Sequence, residues 1–204
     1  MKKSMAKKTP RDIPVHGQLI VLVGPSGVGK STIARRLAQK TNVTYIASAT
    51  TREKRPGDDK AKRYDYITRD EFFHRLDADA FLEYAQVYND FYGTPKHPAL
   101  DLLADGKDVL LEIDMQGALQ VRYQYPGALL VFILPPDAAT LLKRLEDRKR
   151  DSAEEIQKRF RSAKREVQMA KGSRAFDHMV INDTVDRAVG EIIKTIHHKR
   201  AGGI

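Results

Sequence analysis

The sequence predicts an α/β fold, a parallel sheet wrapped by helices, with an inserted lobe and a lid. Three observations predict it. Apolar runs alternate with helical stretches along 204 residues, the pattern of a parallel sheet covered on both faces. A glycine-rich turn joins the first apolar run directly to a helix. Between Ser48 and about Thr94 the chain becomes polar, basic and tyrosine-rich over a length too great for a connecting loop, which marks an insertion.

The predicted strands are Leu19–Val23, Val43–Ala47, Asp108–Ile113, Leu129–Leu134 and His178–Ile181. The second and fifth are short; the others are nearly continuous in Val, Ile and Leu, as strands buried on both faces are. The predicted helices are Ser31–Lys40, Pro95–Ala104, Gln116–Tyr123, Asp137–Arg148, Ala153–Lys171 and Val185–His198, with one more around Arg69–Leu76 inside the insertion. Arg148 to Ser152 joins two charged helices and reads as a mobile lid. Ligands of such sheets bind beyond the carboxyl ends of the strands, so Gly24 and Asp114, both at such ends, are expected to converge.

The turn after the first strand reads Gly24-Pro25-Ser26-Gly27-Val28-Gly29-Lys30-Ser31. Strand, G-x-x-x-x-G-K-[ST], then helix is the arrangement that cradles nucleotide phosphates. Glycines let successive N–H groups point inward at anionic oxygens, and the helix from Ser31 aims its positive end at the same spot. Lys30 is placed to reach the outer phosphates and Ser31 to join a magnesium shell.

Composition narrows the classes. Hydrophobic residues make up 41% and charged residues 31%, ordinary for one soluble domain. No cysteine is present, which excludes thiolate catalysis, disulfides and zinc–cysteine sites. The longest apolar run, Ala128 to Leu134, is too short to cross a bilayer. Residues 1–11 hold five basic residues with no apolar core behind them, so they read as a solvated, disordered arm rather than a secretory signal, and a cytoplasmic location is expected.

Net charge is +9, with ten basic and five acidic residues in 143–165 and six basic and three acidic in 52–63. Such clusters raise the question of nucleic acid. They lack the interleaved aromatics of a base-stacking groove, so small anionic phosphates are the expected partners.

Arg52 and Arg55 lie three apart, with Ser48 and Tyr64 nearby, and two guanidinium forks plus two hydroxyls suit a dianionic monophosphate. Glu112 and Asp114, two apart on a strand, are expected to share a face, where negative charge serves a magnesium shell or a bound nucleotide. Arg144, Arg148 and Arg159 would bring positive charge from the lid onto the moving phosphoryl group.

The ordered motifs Ser48-Ala49-Thr50-Thr51-Arg52-Glu53-Lys54-Arg55-Pro56-Gly57-Asp58, Tyr64-Asp65-Tyr66, Glu83-Tyr84-Ala85, Tyr92-Gly93-Thr94, Glu112-Ile113-Asp114-Met115-Gln116-Gly117 and Asn182-Asp183 resemble those of guanylate kinases, from about Gln18 to the last helix. The resemblance implies a fold of the P-loop nucleoside monophosphate kinase type. It implies a disordered arm at 1–16 and a kinase domain at 17–204, with core 17–47 and 95–204, a GMP-binding lobe at about 48–94 and a lid at about 144–165. The implied reaction moves the γ-phosphoryl of ATP to GMP, with Mg2+.

By the same resemblance Gly24 to Thr32, Arg144 and Asn182 would hold ATP. Ser48, Arg52, Arg55, Tyr64 and Tyr92 would hold the phosphate of GMP or dGMP, and Glu83 and Thr94 would read the base. One carboxylate accepts from both N1–H and the exocyclic amine of guanine, a pair adenine lacks. Glu112 would lie beside the acceptor, Asp114 and Ser31 near the metal, and Lys30, Arg52, Arg148 and Arg159 would serve transfer.

The chain departs from the family pattern at Asp58 for glutamate, Thr94 for serine and Lys149 for glycine; none removes a required functional group. Two other classes remain open at this point: a non-catalytic guanylate-kinase-like module that binds proteins, and a kinase for another small phosphate acceptor. Nothing in the sequence fixes an oligomeric state.

Overall fold

A computed structural model describes residues 16–54, 58, 64–147 and 152–203. The basic arm lies outside them except for His16, as do Arg55, Arg148 and Lys149.

All five side chains of β1 (Leu19–Val23) are buried, because β1 occupies the middle of a five-stranded parallel sheet. The order is β2 (Thr44–Tyr45), β7 (Val109–Glu112), β1, β8 (Leu129–Leu134) and β9 (His178–Ile181). Strand alternation divides β1 between two cores. Ile20 and Leu22 pack with Ile33, Ala34 and Leu37 of α1 (Lys30–Lys40) and with Ala188, Val189, Ile192 and Ile196 of α7 (Val185–Arg200). Leu19, Val21 and Val23 pack on the other face with Leu100 and Leu103 of α3 (Lys96–Ala104), Ala118 and Val121 of α4 (Met115–Gln124), and Ala170 of α6 (Ala153–Gly172). The expected strand Val43–Ala47 shrinks to two half-buried residues at the sheet edge, where only one neighbour supplies hydrogen bonds.

The insertion holds a second sheet that hydrophobic periodicity did not announce, ordered β4 (Tyr64–Tyr66), β3 (Ser48–Thr50), β6 (Asp90–Pro95) and β5 (Phe81–Val87). Helix α2 (Arg69–Asp77) covers it, capped by Thr68 and centred on Phe72, whose ring stacks on Phe81 at 4.7 Å between centroids. Hydrogen bonds dock β5 on α4: Tyr84 N–H donates to Gln120 Oε1 at 3.2 Å, Gln120 Nε2 donates back to Tyr84 O at 2.6 Å, and Gln116 Nε2 donates to Gln86 O at 3.4 Å.

Helix α5 (Ala138–Glu146) ends short of its expected end and shares a small separate core with α6 through Leu141, Leu145 and Ala163. Ser152 and Glu155 close a capping box at the start of α6. Among the described residues no helix is long and apolar enough to cross a membrane.

Candidate active site

The phosphate loop leaves β1 at its carboxyl end and enters α1 through Gly29, whose φ of 98° is left-handed. A β-carbon there would also stand 2.5 Å from Asn182 Nδ2, so conformation and space both require glycine. Asn182, buried at the end of β9, braces the loop by donating from Nδ2 to Val28 O at 2.7 Å. Arg144 of α5 reaches the same brace, donating to Asn182 O at 3.0 Å and Val28 O at 3.4 Å. Gly24, Pro25, Gly27 and Val28 are buried, Ser26 is half-buried, and Thr32 is exposed on the first turn of α1. The Lys30 ammonium donates to Gly24 O at 2.5 Å and Pro25 O at 3.2 Å.

Ser31 Oγ donates to Glu112 Oε1 at 2.6 Å. Glu112 and Asp114 were expected to share a strand face, but β7 ends at Glu112. Asp114 instead turns out of the sheet as the cap of α4, its Oδ1 accepting from Gly117 N–H at 2.9 Å. Burial raises the Asp114 carboxyl above its usual range, against the lowering effect of the Gly117 and Gln116 amides and of nearby Lys30. Glu112 thus sits on the phosphate-loop hydroxyl, and Asp114 lies near enough to Lys30 and to Glu83 for their charges to act on one another.

On the second sheet, Arg52 is held by Asp58. Its Nη2 donates to Asp58 Oδ2 at 2.8 Å and to Tyr66 OH at 3.1 Å, while Nη1 donates to Glu53 O at 2.8 Å. The rings of Tyr64 and Tyr66 flank the guanidinium at 5.4 and 5.5 Å, and Tyr64 meets Tyr92 edge-on at 5.8 Å. Burial alone would depress the Arg52 pKa; the hydrogen bond and charge of Asp58 raise it instead. Burial and the Asp58 hydrogen bond push the Tyr66 phenol up to about 12. Ser48 is buried at the start of β3. The residues expected to hold an acceptor phosphate therefore form one neighbourhood, apart from Arg55 outside the described residues.

Glu83 and Thr94 face each other across the β5–β6 pair. Thr94 donates to Glu83 Oε1 from Oγ1 at 2.5 Å and from N–H at 3.1 Å. Glu83 is only 3% exposed. Burial pushes its carboxyl up to about 7, the Thr94 hydroxyl opposing and the charge of Asp114 adding to the rise. A buried carboxylate with so few partners is costly unless something with donors arrives.

From the lid side, Arg159 is half-buried on α6, and the Lys158 ammonium stands 6.0 Å from the Tyr88 ring at the β5–β6 turn. One residue escaped the sequence reading. Glu166 lies two turns beyond Arg159 on α6, half-buried, bonded to Ser162 Oγ at 3.3 Å; burial raises its carboxyl, opposed by the charge of Lys30. Its signal was the spacing Arg159, Ser162, Glu166, which places all three on one helical face.

A separate cavity, about 500 Å³, opens at the opposite end of the parallel sheet among Lys40, Lys107, Ile196 and Arg200. Its size does not make it the site, because its cations are already matched: Lys40 to Asp186, Lys107 to Asp105 and Arg200 to Asp108.

Residues 16–199 match the family profile described as guanylate kinase. The guanylate kinase of Caldanaerobacter subterraneus subsp. tengcongensis is 45% identical over 181 residues, covering 88% of this chain and 86% of that protein. That of Caulobacter vibrioides is 42% identical over 189 residues, covering 92% and 87%. Among solved structures, guanylate kinase from Anaplasma phagocytophilum superposes with a TM-score of 0.75 at 27% identity, covering 93% of this chain and 88% of that one.

Proposed function

Because this chain belongs to the guanylate kinase family and is an ATP-dependent kinase of GMP, we propose a division of labour among its residues. The loop Gly24–Ser31, with Thr32, holds the phosphates of ATP through main-chain amides, and Arg144 and Asn182 keep that loop in shape. Ser48, Arg52, Arg55, Tyr64 and Tyr92 hold the phosphate of GMP or dGMP, and Glu83 with Thr94 reads guanine. The GMP-binding lobe is about 48–94 and the lid about 144–165, both set on the core 17–47 and 95–204.

The buried Glu83–Thr94 pair carries this reading. With guanine bound, the Glu83 carboxylate accepts from N1–H and the 2-amino group while the Thr94 hydroxyl turns from Glu83 to donate to the guanine oxygen, whereas adenine would leave the carboxylate unpaired.

Phosphoryl transfer asks for placement and positive charge rather than covalent help. Lys30, now on the loop carbonyls, moves to the outer phosphates of ATP, and Arg52, Arg148 and Arg159 surround the group in transit. Closure of α5 and α6 over the two nucleotides excludes water, which would otherwise take the phosphoryl group. Ser31 and Asp114, with Glu112 on the Ser31 hydroxyl, are hard oxygen donors that fit Mg2+, and the ion supplies charge neutralisation at the phosphates when bound with ATP. We place the enzyme in the cytoplasm, where its substrates are.

A coupled ADP-release assay with Mg-ATP and a panel of monophosphates tests the reading. Turnover is expected with GMP and dGMP, and AMP, CMP and UMP should fall short by a factor on the order of 10³ or more. Comparable turnover with AMP would overturn the assignment of Glu83 and Thr94.

A further inference from the structure

Gly117 sits in the first turn of α4, three residues after the cap Asp114. Its backbone is ordinary helix with no positive φ, so conformation does not ask for glycine there, and glycine weakens a helix. Space does ask for it. A β-carbon at this position would stand 2.0 Å from Glu83 Oε2, 2.8 Å from Glu83 Cδ and 3.3 Å from Ile113 Cδ1.

Glu83 has little room to retreat. Its Oε1 accepts from both donors of Thr94, and the next residue, Tyr84, is clamped to α4 through Gln120. The atoms a methyl would meet are nevertheless the end of a side chain rather than backbone. The fold can yield at this contact, and what yields is the carboxylate.

We propose that Gly117 is a specificity-determining residue: its bare Cα is the floor that keeps Glu83 Oε2 in place for the N1–H and 2-amino donors of guanine. This rests on the reading of Glu83 as the residue that recognises the base. The same turn ties base recognition to the phosphate side, since the Gly117 N–H is bonded to Asp114.

The test is a double-mutant cycle of Gly117→Ala and Glu83→Ala, read as the ratio of kcat/KM for GMP over IMP, which keeps N1–H but lacks the 2-amino group. Gly117→Ala is expected to lower that ratio about tenfold or more, with KM for ATP unchanged. In the Glu83→Ala background the same change should leave the ratio unaltered and no longer lower the melting temperature, which the better helix propensity of alanine should if anything raise. An unchanged ratio in Gly117→Ala, or an equal loss in both backgrounds, overturns the proposal. If Gly117→Ala alone fails to fold, recovery of a cooperative melt in the double variant supports it and failure to recover overturns it. Glu83→Ala alone separates the two levels: if it preserves the ratio, the reading of Glu83 falls and the proposal with it. If it collapses the ratio while Gly117→Ala does not, only the role of Gly117 falls.

Discussion

The phosphate loop at the end of β1 and the sheet of β3–β6 are both assigned to a phosphate, yet they are built from different parts of the chain. In the loop, main-chain amides curl inward because Gly24, Gly27 and Gly29 take positive φ, and Val28 O is pinned from outside by Asn182 and Arg144. In the second sheet the working groups are side chains, and Asp58, Tyr64 and Tyr66 hold Arg52 in place. A main-chain cradle recognises any polyphosphate and tolerates change at most side chains but not at its glycines. A side-chain receptor can be tuned to one acceptor, at the cost of buried groups such as Glu83 that must be matched.

The comparison breaks most sharply at Lys30, the one side chain on which the main-chain cradle depends for charge. Lys30→Ala should lower kcat by a factor on the order of 10³ while KM for GMP stays put. The fold should persist, because the Lys30 ammonium donates to the loop carbonyls of Gly24 and Pro25, outside the apolar cores. Steady-state kinetics beside a thermal melt check both halves; unaltered turnover would move the transfer charge to the lid arginines.

The acceptor side should carry a pH signature near neutrality. Glu83 is pushed up to about 7 by burial, Thr94 opposing and Asp114 adding, and guanine needs it ionised. Below pH 7, KM for GMP should therefore rise by up to about tenfold per pH unit while KM for ATP changes little. Stability runs the opposite way. A carboxyl whose folded pKa is raised above its unfolded value favours the fold below the unfolded value, and that contribution is lost as pH rises through about 7. Melting temperatures of the wild type and Glu83→Gln should diverge as pH climbs from 4.5 to 7. Parallel curves would mean the carboxyl titrates normally.

The same contrast explains what the sequence disclosed. The phosphate loop was legible because eight contiguous residues between a strand and a helix carry it. The parallel sheet was legible because β1, β7 and β8 are buried on both faces over most of their length and read as nearly continuous apolar runs. The second sheet was not, because β3 and β4 are three residues each, too short for an alternation to stand out from the polar residues around them. Its site residues were reached only through motif resemblance. Asp114 was misplaced for a local reason: period-two reasoning holds only inside a strand, and β7 stops at Glu112. The role of Gly117 depends on a close approach across the chain, to Glu83, which no single stretch displays.

The smallest expected effect sharpens the comparison from the donor side. Asn182 acts on the loop itself: it holds Val28 O at 2.7 Å and crowds the left-handed Gly29. If the cradle works through backbone shape, Asn182→Ala should raise KM for ATP several-fold and leave KM for GMP alone. Losing one buried hydrogen bond should also cost about 1 kcal/mol of stability, and a melt detects that as a drop of a few degrees. Arg144 still reaches Val28 O at 3.4 Å, which is why the loss is several-fold rather than complete. Equal changes in both KM values would show that the brace supports the fold as a whole rather than the donor loop.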